Sequence, residues 1–244
     1  TSGTPDALFP VPMITANCRD RLTAADFNFV VQTLSHSERD SVNLVSLLTD
    51  SQARDTILDS PRLFDSVLSH NGALDISPQF YFYILLRHVL KSPGLNDRRV
   101  CDYLASLLET FSQTARLRSP ADSQGDPVQY VSDMLIALRH ASPRQTFLIR
   151  AHIGNYALFI TGIFHESVER RSQRGAPDCR FYEEVGRANF QAVASHQVAR
   201  SCALGEVFTA LAEGFHEARL ALNQLADSLV HLDSAPPSER SFLS

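Results

Sequence analysis

Residues 142–171 read SPRQTFLIRAHIGNYALFITGIFHESVERR, and this stretch decides the fold class. Ser142 followed by Pro143 is typical of a helix start, because the hydroxyl accepts from free amide groups and the ring already has a helical φ. Other apolar residues cover most of the helix surface, so the stretch predicts a helix buried among other helices. Its main apolar positions alternate at spacings of four and three residues: Ile149, Ile153, Tyr156, Ile160 and Ile163.

The same kind of helix start recurs along the chain, for example at Ser77-Pro78 and at Asp178. No segment shows the alternation that is typical of a strand. The sequence therefore predicts an all-α fold, a bundle of about nine to eleven helices around the buried central helix. The expected organisation is an irregular N-terminal arm at 1–21, a single helical domain at 22–233 with a loop at 116–126, and a flexible tail at 234–244.

The composition is that of an ordinary globular protein, with 244 residues and a net charge of −5 at pH 7. Acids and bases are spread evenly, which argues against a nucleic-acid or membrane-surface binder.

The N-terminal residues lack the features of a signal peptide, so we expect a cytoplasmic protein. HIGNYALFITGIF is similar to stretches of bacterial helical proteins. Four cysteines far apart in the chain are typical of free thiols in a reducing compartment: Cys18, Cys101, Cys179 and Cys202.

The C-terminal segment carries the most regular pattern of the chain. Its apolar residues alternate at spacings of four and three, which is the period of a coiled coil. The flanking positions hold small residues such as Ala212 and Gly214 rather than opposed charges, so we expect one helix packed into the body of the bundle. Self-association through this helix is the alternative. The seam consists of Leu204, Phe208, Leu211, Phe215, Ala218, Leu222, Leu225, Leu229 and Leu232.

Two polar residues interrupt the apolar surface of the central helix. His152 and Asn155 are one turn apart, and buried polar groups need hydrogen-bond partners. One interpretation is a pair satisfied inside the core by the neighbouring backbone or by Tyr81, Tyr83 or His88. The other is a cleft that binds a small molecule. The residues predicted to line such a cleft are His152, Asn155, Tyr156 and His88.

Several arginines crowd the turn that follows the central helix. Positive charge there complements the negative end of a helix and can pair with Glu183 and Glu184. Clustered guanidinium groups also bind phosphate or carboxylate in a bidentate manner. The same arginines are therefore predicted to form an anion or partner patch: Arg170, Arg171, Arg174 and Arg180.

Two short motifs resemble metal sites. Glu213 and His216 have the Glu-x-x-His spacing of di-iron bundles, but the heptad pattern turns both away from the seam. The segment HESVE at 165–169 has a glutamate where a zinc protease has its second histidine. The sequence thus predicts no metal site and no cofactor.

These observations favour a non-catalytic helical interaction or assembly protein, whose expected partner is a further copy of the chain or another protein. Neither nucleic acid nor membrane is expected as a partner. The second hypothesis is a small-molecule-binding or regulatory domain that uses the cleft beside His152 and Asn155. The third is a helical enzyme that depends on a metal or haem.

Overall fold

The structure is a computed structural model that describes residues 13–69, 75–92, 94–117 and 127–234. These residues form thirteen α-helices and two 3-10 turns, Cys18–Arg21 and Leu138–His140, and contain no strand. The predicted all-α class is confirmed. The helices are α1 (Ala24–Leu34), α2 (Glu38–Leu48), α3 (Ser51–Leu58), α4 (Pro61–Ser69), α5 (Pro78–Val89), α6 (Arg98–Leu117), α7 (Pro127–Ala137), α8 (Pro143–Ile163), α9 (His165–Ser172), α10 (Cys179–Ala194), α11 (Gln197–Ser201), α12 (Gly205–Glu213) and α13 (Phe215–Ser234).

Three parts of the predicted organisation lie wholly or largely outside the described residues. These are the first twelve residues of the N-terminal arm, most of the loop predicted at 116–126, and the tail beyond residue 234. The remainder of the predicted arm, residues 13–21, consists of a non-helical segment followed by the first 3-10 turn.

Local chemistry sets the start of α8. The Ser142 hydroxyl accepts from the amide of Gln145, and the Gln145 side chain accepts from the amide of Ser142, which completes a capping box. Thr23 and Asp26 form the same arrangement at the start of α1. Asp178 caps α10 by accepting from the amide of Phe181. These caps satisfy amide groups that have no partner within the helix.

The central helix α8 lies in the core, as the sequence predicts. It packs chiefly against α10 and α13, with further contacts to α6, α7 and α9. Close approach depends on two glycines of α8, because Gly154 lies beneath the ring of Phe190 and Gly162 lies beneath Leu222. An added Cβ at Gly154 or Gly162 would come within 2.7 Å of its partner side chain, so both positions require the absence of a side chain.

The predicted single helix over residues 142–171 is broken, which corrects the sequence interpretation. α8 ends at Ile163, and α9 leaves it at an angle of 90° after Phe164. The amide of Asn223 on α13 donates to the carbonyl oxygens of Thr161 and Gly162, both at 2.7 Å. Asn223 thus binds two carbonyl groups that a longer helix would have used internally.

The predicted C-terminal helix is also broken, at Gly214 between α12 and α13. The side chain of Leu95 lies close to this position: an added Cβ at Gly214 would be 3.1 Å from Leu95 Cγ. These two breaks contribute to a helix number above the predicted nine to eleven. The seam from Leu204 to Leu225 is buried inside the chain. This part of the C-terminal segment is therefore packed into the body of the bundle, as expected.

α5 and α6 extend this core, because Phe80, Leu85 and Leu104 are fully buried, and α1 to α4 form an outer layer. The N-terminal helices α1 to α4 reach the core through α4, which packs on α5, and α5 packs on α6 and α13. The first 3-10 turn sits against both α5 and α6.

Among the described residues, no single helix combines the length and the apolar character needed to cross a membrane. The bent pair α8 and α9 reaches this length and apolar character only when the two helices are joined.

Candidate functional site

His152 lies on α8 at the edge of the core, surrounded by aromatic rings. Its Nε2 is 2.8 Å from the Tyr130 hydroxyl of α7, and its ring stacks on Phe111 of α6 with centroids 5.5 Å apart. Burial lowers the pKa of His152 to about 4. The imidazole is therefore neutral at pH 7 and forms one hydrogen bond with the hydroxyl of Tyr130.

Asn155 lies one turn further along α8 and is buried. Its Oδ1 accepts a hydrogen bond of 2.9 Å from the Tyr103 hydroxyl on α6. Burial raises the pKa of the Tyr103 phenol despite this hydrogen bond, so Tyr103 remains a neutral donor. The sequence analysis expected Tyr81, Tyr83 or His88 as partners of His152 and Asn155. The described contacts are instead with Tyr130 and Tyr103.

The other two residues predicted for this cleft are placed differently. Tyr156 is half-buried beside His152, and its ring lies 4.8 Å from that of Tyr130. His88 stacks on Phe64 of α4, with ring centroids 3.6 Å apart and planes 11° apart. Burial and the charge of Lys91 lower the pKa of His88. The structure thus brings Tyr156 into the His152 cluster, whereas it pairs His88 with the outer layer.

The space beside His152 and Asn155 is small. These two side chains line a cavity of about 10 Å³, at the lower limit of the volume that holds one water molecule. Residues of four regions share this cavity: α6, α8, α12 and the non-helical segment before the first 3-10 turn, represented by Ile14. The predicted cleft therefore corresponds to a site that is closed by the N-terminal segment of the same chain.

The predicted arginine patch lies on α9, on the turn after it and at the start of α10. Arg171 donates to Ser167 Oγ at 3.2 Å, and Arg180 pairs with Glu184 at 3.1 Å within α10. Binding of an anion or a partner at this surface stays a prediction. All four members are exposed to solvent: Arg170, Arg171, Arg174 and Arg180.

A second polar cluster, which the sequence analysis missed, lies beneath the first 3-10 turn. Arg19 binds Asp102 of α6 through Nε and Nη2, and its Nη1 lies 2.6 Å from Asp55 of α3. The guanidinium carbon is 6.0 Å from the centre of the Tyr83 ring. Burial raises the pKa of Asp102 even though Arg19 opposes this effect.

A neighbouring carboxylate extends this cluster toward the surface. Asp59 accepts hydrogen bonds from Arg87 and Arg98, both at 2.7 Å, and Arg98 also approaches Asp55 at 3.7 Å. Burial works against ionisation of Asp59, but the hydrogen bonds and charges of Arg87 and Arg98 outweigh it and lower the pKa. Three arginines and three aspartates thus balance one another, and this cluster joins α3, α5 and α6 to the first 3-10 turn.

A groove of about 770 Å³ runs along α12 and the break between α12 and α13. Three carboxylates line it, from Glu206, Glu213 and Glu217. Glu206 pairs with Arg99 at 3.4 Å, and both side chains are exposed. The groove is open to solvent, and the side chains of all three glutamates are exposed.

The two residues of the Glu-x-x-His motif have different surroundings. Glu213 lines the open groove, whereas His216 Nδ1 lies 3.2 Å from Glu183 of α10. Within the described ranges, no group of three or more histidine, cysteine, aspartate or glutamate side chains is arranged to hold a metal ion.

Comparison with known protein families, with curated proteins and with solved structures finds no match to this chain.

Proposed function

We propose that this chain is a non-catalytic helical interaction protein that assembles with further copies of itself, and that α2 supplies the contact surface. One observation carries the proposal. Val42 is 71% exposed and Val45 is 55% exposed, although both are apolar and lie on adjacent turns of one helix. Leu47 of the same helix is 48% exposed.

The position of α2 makes this surface accessible. α2 belongs to the outer layer, packs chiefly against α1 and α3, and buries Leu48. Removing a valine side chain from water contributes about 1.5 kcal/mol or more to association. A contact that covers Val42 and Val45 on two copies would therefore gain free energy that the isolated chain does not.

The other apolar surface that the sequence offered for assembly is used inside the chain. From Leu204 to Leu225 the C-terminal seam is covered by α8, α10 and α5, with Phe215 and Leu222 fully buried. His152 and Asn155 are engaged within the chain as well, because Tyr130 and Tyr103 bind them. These contacts favour the exposed face of α2 as the interaction surface.

The test is the mass of the protein in solution across a concentration series, measured by light scattering after size exclusion. We expect wild type to associate as concentration rises. Val42→Glu and Val45→Glu each place a charge in the contact and should raise the dissociation constant at least about tenfold, which corresponds to 1.4 kcal/mol.

Asn43→Glu is the matched control, because Asn43 is exposed, lies about 100° around the helix from Val42 and about 160° from Val45, and receives the same charge. This variant should associate as wild type does, and helical circular dichroism should be equal in all four proteins. A wild-type protein that stays monomeric at every concentration contradicts the proposal. Equal weakening by Asn43→Glu and Val42→Glu would also contradict the assignment to this face.

A further inference from the structure

Three aromatic residues from three helices form a box next to Asn155. The ring of Phe208 on α12 meets Tyr103 of α6 edge to face at 5.4 Å and Phe147 of α8 edge to face at 6.0 Å. The hydroxyl of Tyr103 is held by Asn155. These contacts join helices to one another, so the walls of the box are positioned by the core itself.

The remaining side of the box is closed by Ile14, which lies on no helix. Ile14 is 7% exposed, whereas the preceding Met13 is 37% exposed. Ile14, the three aromatic residues and Asn155 line the same residual cavity of about 10 Å³. Ile14 is thus buried at the box, and only about 10 Å³ of space remains between it and the other lining residues.

The segment that carries Ile14 is anchored on one side. Cys18 donates from Sγ to the carbonyl oxygen of Gln79, and Arg19 binds Asp102. Between this anchor and Ile14, Thr15 donates to the Asn17 side chain at 2.8 Å, and residues 15–17 are half-buried. Release of Ile14 would thus open the box while the chain stays attached at Cys18.

We propose that the box formed by Tyr103, Phe147 and Phe208 is a binding site for a branched aliphatic side chain on an extended peptide, which Ile14 occupies in cis. The apolar walls match such a side chain in chemistry, and Ile14 shows that the size fits. Residues 13–17 then act as a strap that blocks the site. This inference goes beyond self-association through α2, since it concerns a box formed by α6, α8 and α12 and a different ligand.

The test uses the full chain with Ile14→Asp, which makes burial of the strap unfavourable. The probe is a fluorescein-labelled peptide with the sequence of residues 8–17, followed by fluorescence anisotropy. A tethered segment competes at millimolar effective concentration, so the peptide should bind Ile14→Asp at least about tenfold more tightly than wild type. The same peptide carrying Ile14→Asp is the control and should not bind.

Two results would overturn the inference: a folded Ile14→Asp protein that does not bind the peptide, or equal binding to wild type and variant. Ile14→Ala provides a second measurement, because it only shortens the side chain. The backbone mobility of residues 15–17, measured by NMR relaxation, should increase in Ile14→Ala, while that of α8 stays unchanged. Unchanged mobility at residues 15–17 would likewise overturn the inference.

Discussion

Arg19 and Asp102 form a bidentate ion pair between residues that are 83 positions apart in the sequence. Nη2 and Nε of the guanidinium lie 2.9 and 3.0 Å from Asp102 Oδ2, and the amide of Arg19 also donates to Oδ1 at 3.2 Å. The Asp102 side chain is 4% exposed. A carboxylate at this depth depends on its partner, because a buried charge without compensation is costly.

Arg19→Met should therefore destabilise the protein strongly. It leaves Asp102 buried without its cation, and loss of one member of a buried pair costs about 3–5 kcal/mol. Urea unfolding measures the change in the free energy of unfolding. Arg19→Met combined with Asp102→Asn should lose less than the sum of the two single variants, because the second substitution removes the isolated charge.

Arg180→Met is the control for an exposed pair, since Arg180 and Glu184 have side chains that are 83% and 64% exposed. This substitution should change the free energy of unfolding by about 0.5 kcal/mol or less. Additive losses in the Arg19 and Asp102 cycle would show that the two side chains do not act together.

Gly186→Ala should destabilise the contact between α10 and α13. An added Cβ would lie 2.5 Å from Phe215 Cζ and 3.2 Å from Ala157 Cβ. Alanine favours a helix by about 1 kcal/mol over glycine, but overpacking costs about 1–3 kcal/mol, and the fully buried Phe215 has little room to move. Thermal unfolding should show a lower Tm.

Phe215→Leu supplies the matching test, since it removes the ring that meets the new methyl group. Gly186→Ala should cost less in this background than in wild type. If Gly186→Ala lowers the stability equally in wild type and in Phe215→Leu, the new methyl group does not clash with Phe215.

His152 should make the protein less stable in mild acid. Its pKa of about 4 in the folded state lies below the ordinary value of 6.5, so the unfolded chain binds the proton more readily. The contribution is fully present above pH 6.5 and is lost as the pH falls toward 4. Between pH 7.5 and 4.5 the protonation of His152 should remove on the order of 2 kcal/mol from the free energy of unfolding.

His152→Gln keeps a side chain that can bind Tyr130 but does not titrate. Urea midpoints of this variant should fall less between pH 7.5 and 4.5 than those of wild type. Parallel pH profiles for the two proteins would contradict a role for His152.

Asn223→Ala should loosen the bend between α8 and α9. It removes both hydrogen bonds to the carbonyl oxygens of Thr161 and Gly162. Leaving such groups without partners costs about 1–3 kcal/mol, and amide exchange at 164–168 should quicken. Gln224→Ala, at the exposed neighbouring position, should change stability by about 0.5 kcal/mol or less. Equal effects of the two substitutions would contradict the role of Asn223.

Features with local causes could be predicted from the sequence. The start of α8 at Ser142 and Pro143 follows from the chemistry of neighbouring residues, as does the capping box of Thr23 and Asp26. The all-α class follows from periodicities that each helix carries by itself. Position 186 is different, because nothing in its sequence context shows that Phe215 fills the space above it.

Features that depend on distant residues could not be predicted. The break after Ile163 involves Asn223 of α13, so it has no complete local signal. Likewise, nothing in the sequence around Gly214 shows that Leu95 limits the space at this position. His152 and Asn155 stand out in the sequence as polar residues in an apolar helix, but their tyrosine partners come from α7 and α6. Arg19 lies 36 residues from Asp55 and 83 residues from Asp102, and no spacing rule connects them.

Arginine and histidine are the only bases in the ion pairs of the described chain, and this has a consequence in alkaline solution. Guanidinium groups stay charged above pH 12, where lysine side chains would have lost their proton. Burial also raises the pKa of Tyr103 and Cys101, which keeps the phenol and the thiol protonated. Alkali thus leaves the guanidinium of Arg19 charged, while acid removes its pair with Asp102 by protonating this carboxylate, whose pKa is raised by burial.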